Sequence, residues 1–305
     1  MSAPPAVTPS VPAAAPPSRP SDRSARAPRP RTPLRQWLMA AGGVLVLLAF
    51  LLPYVVMVIG SLRTRPDITS IPPTYLPEQW VPENYVTMWS TPETPLPLNL
   101  LSTIVISVCA TLLVLLVAMP AAYYTARVRF PGRMVFLLLV LCTQMLQPTV
   151  LAAGLFQQMF NLGINDTWLA MILINAAFNL SFAVWIMHSF FASVPAEVEE
   201  AAMLDGAGRL TILRTVTLPL VWPGIVTATI FAFVACWNEF AASLVILTSA
   251  ERQPLAVALT KFVGQYETAW QYVFGISVVG IVPVVILFVL IEKRLIAGLT
   301  AGAIK

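Results

Sequence analysis

The chain has 305 residues, of which 58% are hydrophobic and only 10% charged, with a formal net charge of +4 at pH 7. So large an apolar share exceeds that of an ordinary soluble domain and implies a membrane protein. The positive excess gathers at the amino terminus and in short loops, as topology signals do, and makes no case for nucleic-acid binding.

Residues 1–35 are rich in Pro, Ala, Ser and Arg and almost free of large apolar side chains. Such a segment buries too little surface to offset the entropy of ordering, and is expected to be a disordered basic arm. Its basic region is too long for a cleavable signal, and the apolar run after Arg35 far exceeds an h-region, so the first span is expected to stay as an anchor. Apolar segments long enough to cross a hydrocarbon core follow at roughly 36–60, 99–125, 133–157, 167–191, 221–248 and 272–292. The expected fold is therefore all-α and polytopic, with six membrane spans.

Between the first two spans, residues 61–98 carry eight prolines together with Tyr75, Trp80, Tyr85 and Trp89. This pattern predicts an extended loop, serving either as an aromatic belt at headgroup depth or as a docking surface for an extracytoplasmic protein. Pro53, Pro120, Pro148 and Pro283 fall inside predicted spans and predict kinks there. Cys109, Cys142 and Cys236 also sit inside spans without CxxC spacing, and read as buried small hydrophobes.

Loop charges set the orientation, because Lys and Arg resist translocation. Fourteen of the eighteen fall in the amino-terminal tail, the loops after spans two and four, and the carboxyl terminus. Both termini and the loop after span four are thus expected to be cytoplasmic.

Absences narrow the chemistry. No G-x-x-x-x-G-K-[ST] occurs, and none of Lys261, Lys293 and Lys305 follows a glycine, so the chain is not expected to hydrolyse ATP. His188 is the only histidine, which leaves no Cys/His metal cluster, and no G-x-S-x-G accompanies it. No catalytic residue and no metal ligand is assigned, and His188 reads as an interfacial polar residue.

After span four comes a polar island, VPAEVEEAAMLDGAGRLTILRTVTLPL, residues 194–220. Ser193 and Pro195 are helix-start signals, Glu197, Glu199 and Glu200 complement the positive helix end, and Gly206 is placed to stop the helix in a left-handed turn. A second helical stretch from about Arg209 runs towards Pro219 at the entry to span five. At helical spacing Glu197, Glu200 and Leu204 share one face and Val198, Ala201, Ala202 and Asp205 another, which suits either a socketed element or a merely solvated loop.

Glu200-Ala201-Ala202, three intervening residues, Gly206, nine intervening residues and then Val216-Thr217-Leu218-Pro219 resemble the E-A-A-x3-G-x9-I-x-L-P loop of permease subunits from binding-protein-dependent ABC importers. Val216 in place of isoleucine is the only departure. AAYYTARVRFPGR (121–133), WNEF (237–240) and GLTAGAIK (298–305) are similar to elements of the carbohydrate-uptake branch and its maltose-type second permease. The resemblance covers nearly everything after residue 36, and implies a permease domain over 36–297 with a cytoplasmic tail, 298–305.

It further implies a complex of two permeases on an ATPase dimer, served by an extracytoplasmic solute-binding protein. ATP and Mg would be held by the ATPases, and no cofactor by this chain. Of the motif, Glu200 would pair with the ATPase, Ala201 and Ala202 would pack closely, and Gly206 would make the turn, with Asp205, Leu218 and Pro219 at matching positions. Gly298, Thr300 and Gly302 of the tail would approach the ATPases. The cargo would be a sugar or polyol, the alternatives being glycerol-phosphate or another small solute, or an ion-gradient transporter without an ATPase.

Glu239 is the one acidic residue inside a predicted span, flanked by Trp237 and Asn238. An ionisable group at that depth faces a cavity or a partner. The three residues are candidates for a sugar contact or for a gate against the second permease. Gln144, Gln147, Asn175 and Asn179 are neutral polar residues suited to lining a pathway or joining helices.

Overall fold

The computed structural model describes residues 33–91, 94–264 and 267–302, with side chains over 37–91, 94–264 and 267–291. The predicted arm lies outside the described residues up to position 32. Among the described residues the chain is helical, apart from one isolated bridge pairing Val263 with Thr268.

Two compact units are present, one up to Leu51 and one from Leu52 onward. The first is the amino-terminal part of α1 (Pro33–Ser61), and its side chains from Trp37 on are exposed, as an apolar span in lipid requires.

Short helices α2 (Arg65–Ile68) and α3 (Glu83–Trp89) interrupt the loop predicted to be extended. Arg63 holds it together. Its Nε and Nη2 donate to the Asp67 carboxylate at 2.8 and 2.7 Å, and Nη1 donates to the Thr74 carbonyl at 2.9 Å. Thr74 Oγ1 adds a 2.8 Å bond to Asp67, and the Asn84 amide clamps the carbonyls of Ser61 and Arg63 at 3.0 and 2.9 Å. The Arg63 hydrogen bond outweighs burial and holds the Asp67 carboxyl well below the usual carboxylate range, while Asp67 raises Arg63. Composition predicted extended chain because prolines dominate it; a buried ion pair folds it instead.

The bundle proper is α4 (Leu96–Arg127), α7 (Trp168–Ser193) and α11 (Trp222–Trp237), packed on one another. In lipid, helices gain little from burying apolar surface and associate through close backbone approach and hydrogen bonds. Small residues at the seam meet that need: Ala118, Ala122, Ala183, Ala228 and Ala232 are all buried. Gly224 lets α11 reach α7, since a Cβ there would lie 2.4 Å from the Phe190 ring. Thr103, Ser107 and Thr111, buried on one stripe of α4, return their hydroxyls to carbonyls four residues back, leaving no hydroxyl unsatisfied.

The predicted third span is not one helix. It forms α5 (Arg133–Thr143) and α6 (Pro148–Asn161), bent by 93° across a break holding Gln144 and Gln147. Pro148 opens α6 rather than kinking a continuous helix, because the residue before a proline is driven out of helical geometry, and Gln147 is extended at ψ 137°. Pro53, Pro120 and Pro283 lie inside helices as predicted.

The fifth span differs as well. α11 ends at Trp237, and the chain re-forms as α12 (Ala241–Ile246), not a helix continuous to residue 248. Among the described residues four helices are long and apolar enough to cross a membrane, with two bent pairs able to complete six. Of the cysteines only Cys236 is buried; Cys109 and Cys142 lie on exposed helix faces, where a thiol needs no partner against lipid. The last two helices are α13 (Leu255–Thr260) and α14 (Trp270–Gly302), and α14 continues through Gly298 and Thr300.

Candidate functional site

The island begins where α7 stops. Ser193 does not cap the next helix as predicted: it is still the last residue of α7, and its hydroxyl donates to the Phe190 carbonyl at 2.8 Å. The following helix, α8 (Ala196–Leu204), starts behind Pro195 with no side-chain cap.

Its carboxyl end follows the predicted pattern. Gly206 adopts φ 83°, a backbone state that an L side chain rarely takes. Gly206 N then bonds Met203 O at 3.0 Å and Ala207 N bonds Ala202 O at 3.1 Å, the paired bonds of a Schellman stop. Chain direction is recovered through α9 (Arg209–Thr211), a π-helical turn over Ile212–Thr217, and α10 (Leu218–Leu220). Pro219 offers no amide to the carbonyls behind it, and the helix widens just before it. This stretch meets α11 at 77°.

A buried polar cluster fastens the island to the bundle. Glu199, only 4% exposed, receives Arg127 Nε at 2.9 Å and Thr217 Oγ1 at 2.9 Å on Oε1, and the Tyr123 hydroxyl at 3.1 Å on Oε2. Arg127 Nη2 also lies 2.8 Å from Oε1, at an angle too poor for a second hydrogen bond, so that contact is Coulombic. Its Nη1 donates to the Val194 carbonyl at 2.9 Å. One guanidinium thereby joins the end of α4, the end of α7 and the island helix. Apolar contacts back it up: Ile212 is buried, Val194 and Val221 belong to the core, and Leu213 and Leu218 pack against it.

The opposite side of α8 is open. Glu200, Ala201, Asp205 and Gly206 are exposed and Ala202 half-buried. Around them Val198, Met203 and Leu210 are exposed, and Leu204 is 90% exposed. Carboxylates beside small and apolar residues make a surface that packing among the described residues does not use. Leu218 is half-buried at the root of the island, whereas Pro219 is exposed.

The second group of candidates is placed otherwise than its position inside a predicted span implied. Trp237 is buried, donates its indole N–H to the Gly280 carbonyl at 3.0 Å and stacks on Phe233. Asn238 is exposed, and its amide returns to Val234 O at 2.8 Å. Glu239 sits in the helix break, where its carboxylate accepts Ala242 N at 2.7 Å, Ser243 N at 3.0 Å and Ser243 Oγ at 2.6 Å. It satisfies orphan amides at the start of α12. Asn179 reaches Asn175 O at 2.9 Å, which joins these two within α7.

Tyr123, Arg127, Glu199 and Thr217 carry the island's attachment, and none was assigned that role from sequence. Tyr123 and Arg127 lie in the AAYYTAR element, and an arginine ending an apolar helix with no acid near it in sequence signals a distant partner.

The family described as "Binding-protein-dependent transport system inner membrane component" matches residues 98–297. Inner membrane ABC transporter permease protein YcjP of Escherichia coli K12 is 33% identical over 87% of this chain and 94% of its own length. The trehalose/maltose transport system permease protein MalG of Thermococcus litoralis is 32% identical over 89% of this chain and 98% of its own. Sulfoquinovosyl glycerol transport system permease protein SmoH of Agrobacterium fabrum is 34% identical over 84% and 89%. In fold, the chain resembles one chain of a bacterial ABC transporter that imports the acidic polysaccharide alginate, with a TM-score of 0.71 at 24% identity over 88% of this chain and 99% of that one.

Proposed function

The chain belongs to the family of binding-protein-dependent transport system inner membrane components, and from that premise we propose that it is a carbohydrate-importing permease whose island is driven by a separate ATPase. The observation that carries this is the two-sidedness of α8: Glu199 buried against Arg127, and Glu200 one residue on turned outward beside Ala201 and Asp205. A helix moved by a partner needs one face to be gripped and the other fixed to what must move. Here the fixed face leads directly into α4 and α7, the most extensively packed pair in the bundle.

In this reading ATP and Mg are held by two ATPase subunits, each gripping one permease of a heterodimer. Glu200 pairs with a basic group of the ATPase, Ala201 and Ala202 allow close approach, and the left-handed turn at Gly206 ends the gripped helix. Both termini and the island lie in the cytoplasm, and α14 carries Gly298, Thr300 and Gly302 towards the same side. Substrate arrives on an extracytoplasmic binding protein.

The cargo is a sugar or polyol, supported by relatives whose names specify trehalose/maltose, sulfoquinovosyl glycerol and diacetylchitobiose. An ion-gradient mechanism is disfavoured, because the acid it would use, Glu239, is committed to capping α12.

The test is uptake and ATP hydrolysis in liposomes holding the complex with its partner permease and ATPases. Substrate-loaded binding protein should stimulate hydrolysis. Glu200→Ala should lower stimulated uptake by about tenfold or more, the loss typical of a central interface contact, while the permease pair still assembles. Normal transport by Glu200→Ala would overturn the coupling role, and uptake indifferent to ATP would overturn the importer reading.

A further inference from the structure

The stretch RVRFPGR, 127–133, contains three arginines and no acid. Arg127 is neutralised by Glu199, whereas Arg133 forms no ion pair among the described residues. Arg133 opens α5 behind Gly132, which turns the chain at φ 87°. The turn brings its side chain against His188, near the end of α7.

The hydrogen-bond directions there are determined by the geometry. Arg133 Nη2 can only donate, so His188 Nε2 accepts from it at 3.3 Å and the ring proton lies on Nδ1. Thr125 Oγ1, whose single proton goes to the carbonyl of Ala121 or Ala122 at 2.9 or 3.0 Å, then accepts at 3.1 Å from Nδ1. A neutral imidazole orients the guanidinium without cancelling its charge.

Beside this pair lies an open cleft of about 550 Å³, walled by Phe130, Met134, Leu137 and Trp185. Its polar end is Arg133 with His188, and the remaining wall is apolar. Both contributing helices end here: α5 begins at Arg133, and α7 stops five residues beyond His188. The cleft therefore sits where a membrane span meets the headgroup layer, at the end of the bundle that bears the island.

We propose that this cleft seats an anionic phospholipid, its phosphate against Arg133 and one acyl chain along Met134, Leu137 and Trp185. An uncompensated guanidinium calls for an anion, and the apolar walls call for a hydrocarbon chain attached to it. A free phosphate would give up hydration to face Leu137 and Trp185 and gain nothing from them. The site takes no part in coupling, so it stands or falls separately from the role of Glu200.

The test uses the purified complex in neutral detergent, titrated with phosphatidylglycerol brominated on its acyl chains, which quenches nearby tryptophans. The chain has eight tryptophans, so the signal is the component lost in Trp185→Phe. That component should be quenched by the anionic lipid. Its half-saturation should rise about fivefold in Arg133→Gln, equivalent to the roughly 1 kcal/mol of one basic residue near an anionic surface, and return in Arg133→Lys. Four results would overturn the proposal: no quenchable Trp185 component in the complex, which would mean a subunit covers the cleft; equal quenching by brominated phosphatidylcholine; an unshifted titration in Arg133→Gln; or displacement of the lipid by inorganic phosphate at matched ionic strength, which would make it a free-anion site.

Discussion

Two buried arginine–carboxylate pairs hold this protein at opposite ends of its use, and they differ in reach. Arg63 and Asp67 are four residues apart and lock the loop after α1 onto itself. Arg127 and Glu199 are separated by 72 residues, and their contact joins two helices of the bundle to a helix outside it. A local pair shapes the segment that carries it. A long-range pair makes two segments move as one, which is what the proposed coupling requires.

Removing one partner gives the sharpest contrast. Glu199→Ala leaves the Arg127 guanidinium buried without a carboxylate, a change that costs about 3–5 kcal/mol out of a stability not much larger. The purified complex should lose much of its thermal stability and nearly all transport. Glu200→Ala, one residue on and exposed, should leave the melting temperature within about the small change typical of surface substitutions while uncoupling transport. Equal melting temperatures for the two variants would mean that the buried pair does not fasten the island.

A milder change tests whether the π-helical turn belongs to the fastening. Thr217→Val keeps the shape and removes one donor from Glu199 Oε1, where Arg127 Nε remains. The expected loss is about 1–2 kcal/mol in melting experiments. ATP hydrolysis should also become less dependent on loaded binding protein, because the second half of the island is freed from the first. Hydrolysis that stays fully dependent would assign the turn a packing role only.

The same contrast explains what the sequence disclosed. Gly206 was legible because a left-handed stop is a local demand, and the Schellman bonds follow from it. The spans were legible from length and apolarity, and Pro148 marked a kink though not a full break; the break after Trp237 was missed because the apolar run resumes directly beyond Asn238 and Glu239. Glu239 looked like a charge in need of a cavity only while the helix was taken to be continuous; once it breaks, the carboxylate has amides to bind. Glu199 looked like a third dipole-complementing acid beside Glu197 and Glu200. Nothing within helical reach marks it as the buried one, since the partner that buries it lies on α4.

The smallest expected effect concerns acidification of the Arg63–Asp67 lock. Hydrogen bonding from Arg63, opposed by burial and assisted by Thr74, depresses the folded-state value of Asp67 below its unfolded value near 4. A depressed carboxylate contributes stability that is fully present above the unfolded value and is lost as pH falls through the folded one. The loop should thus be unchanged from pH 7 to about 5 and should loosen progressively below about 4. The amide of Val81, which bonds the Leu62 carbonyl at 2.8 Å across the loop, reports it by hydrogen exchange corrected for intrinsic rate. Asp67→Asn should show low protection at every pH, since its side chain no longer titrates. The exposed pair of Arg65 with Glu267 also depresses its acid, but solvent screens it, so salt rather than acid should weaken it. If wild type and Asp67→Asn lose protection in parallel as the pH falls, some other group governs the loop, and the local lock is not what folds it.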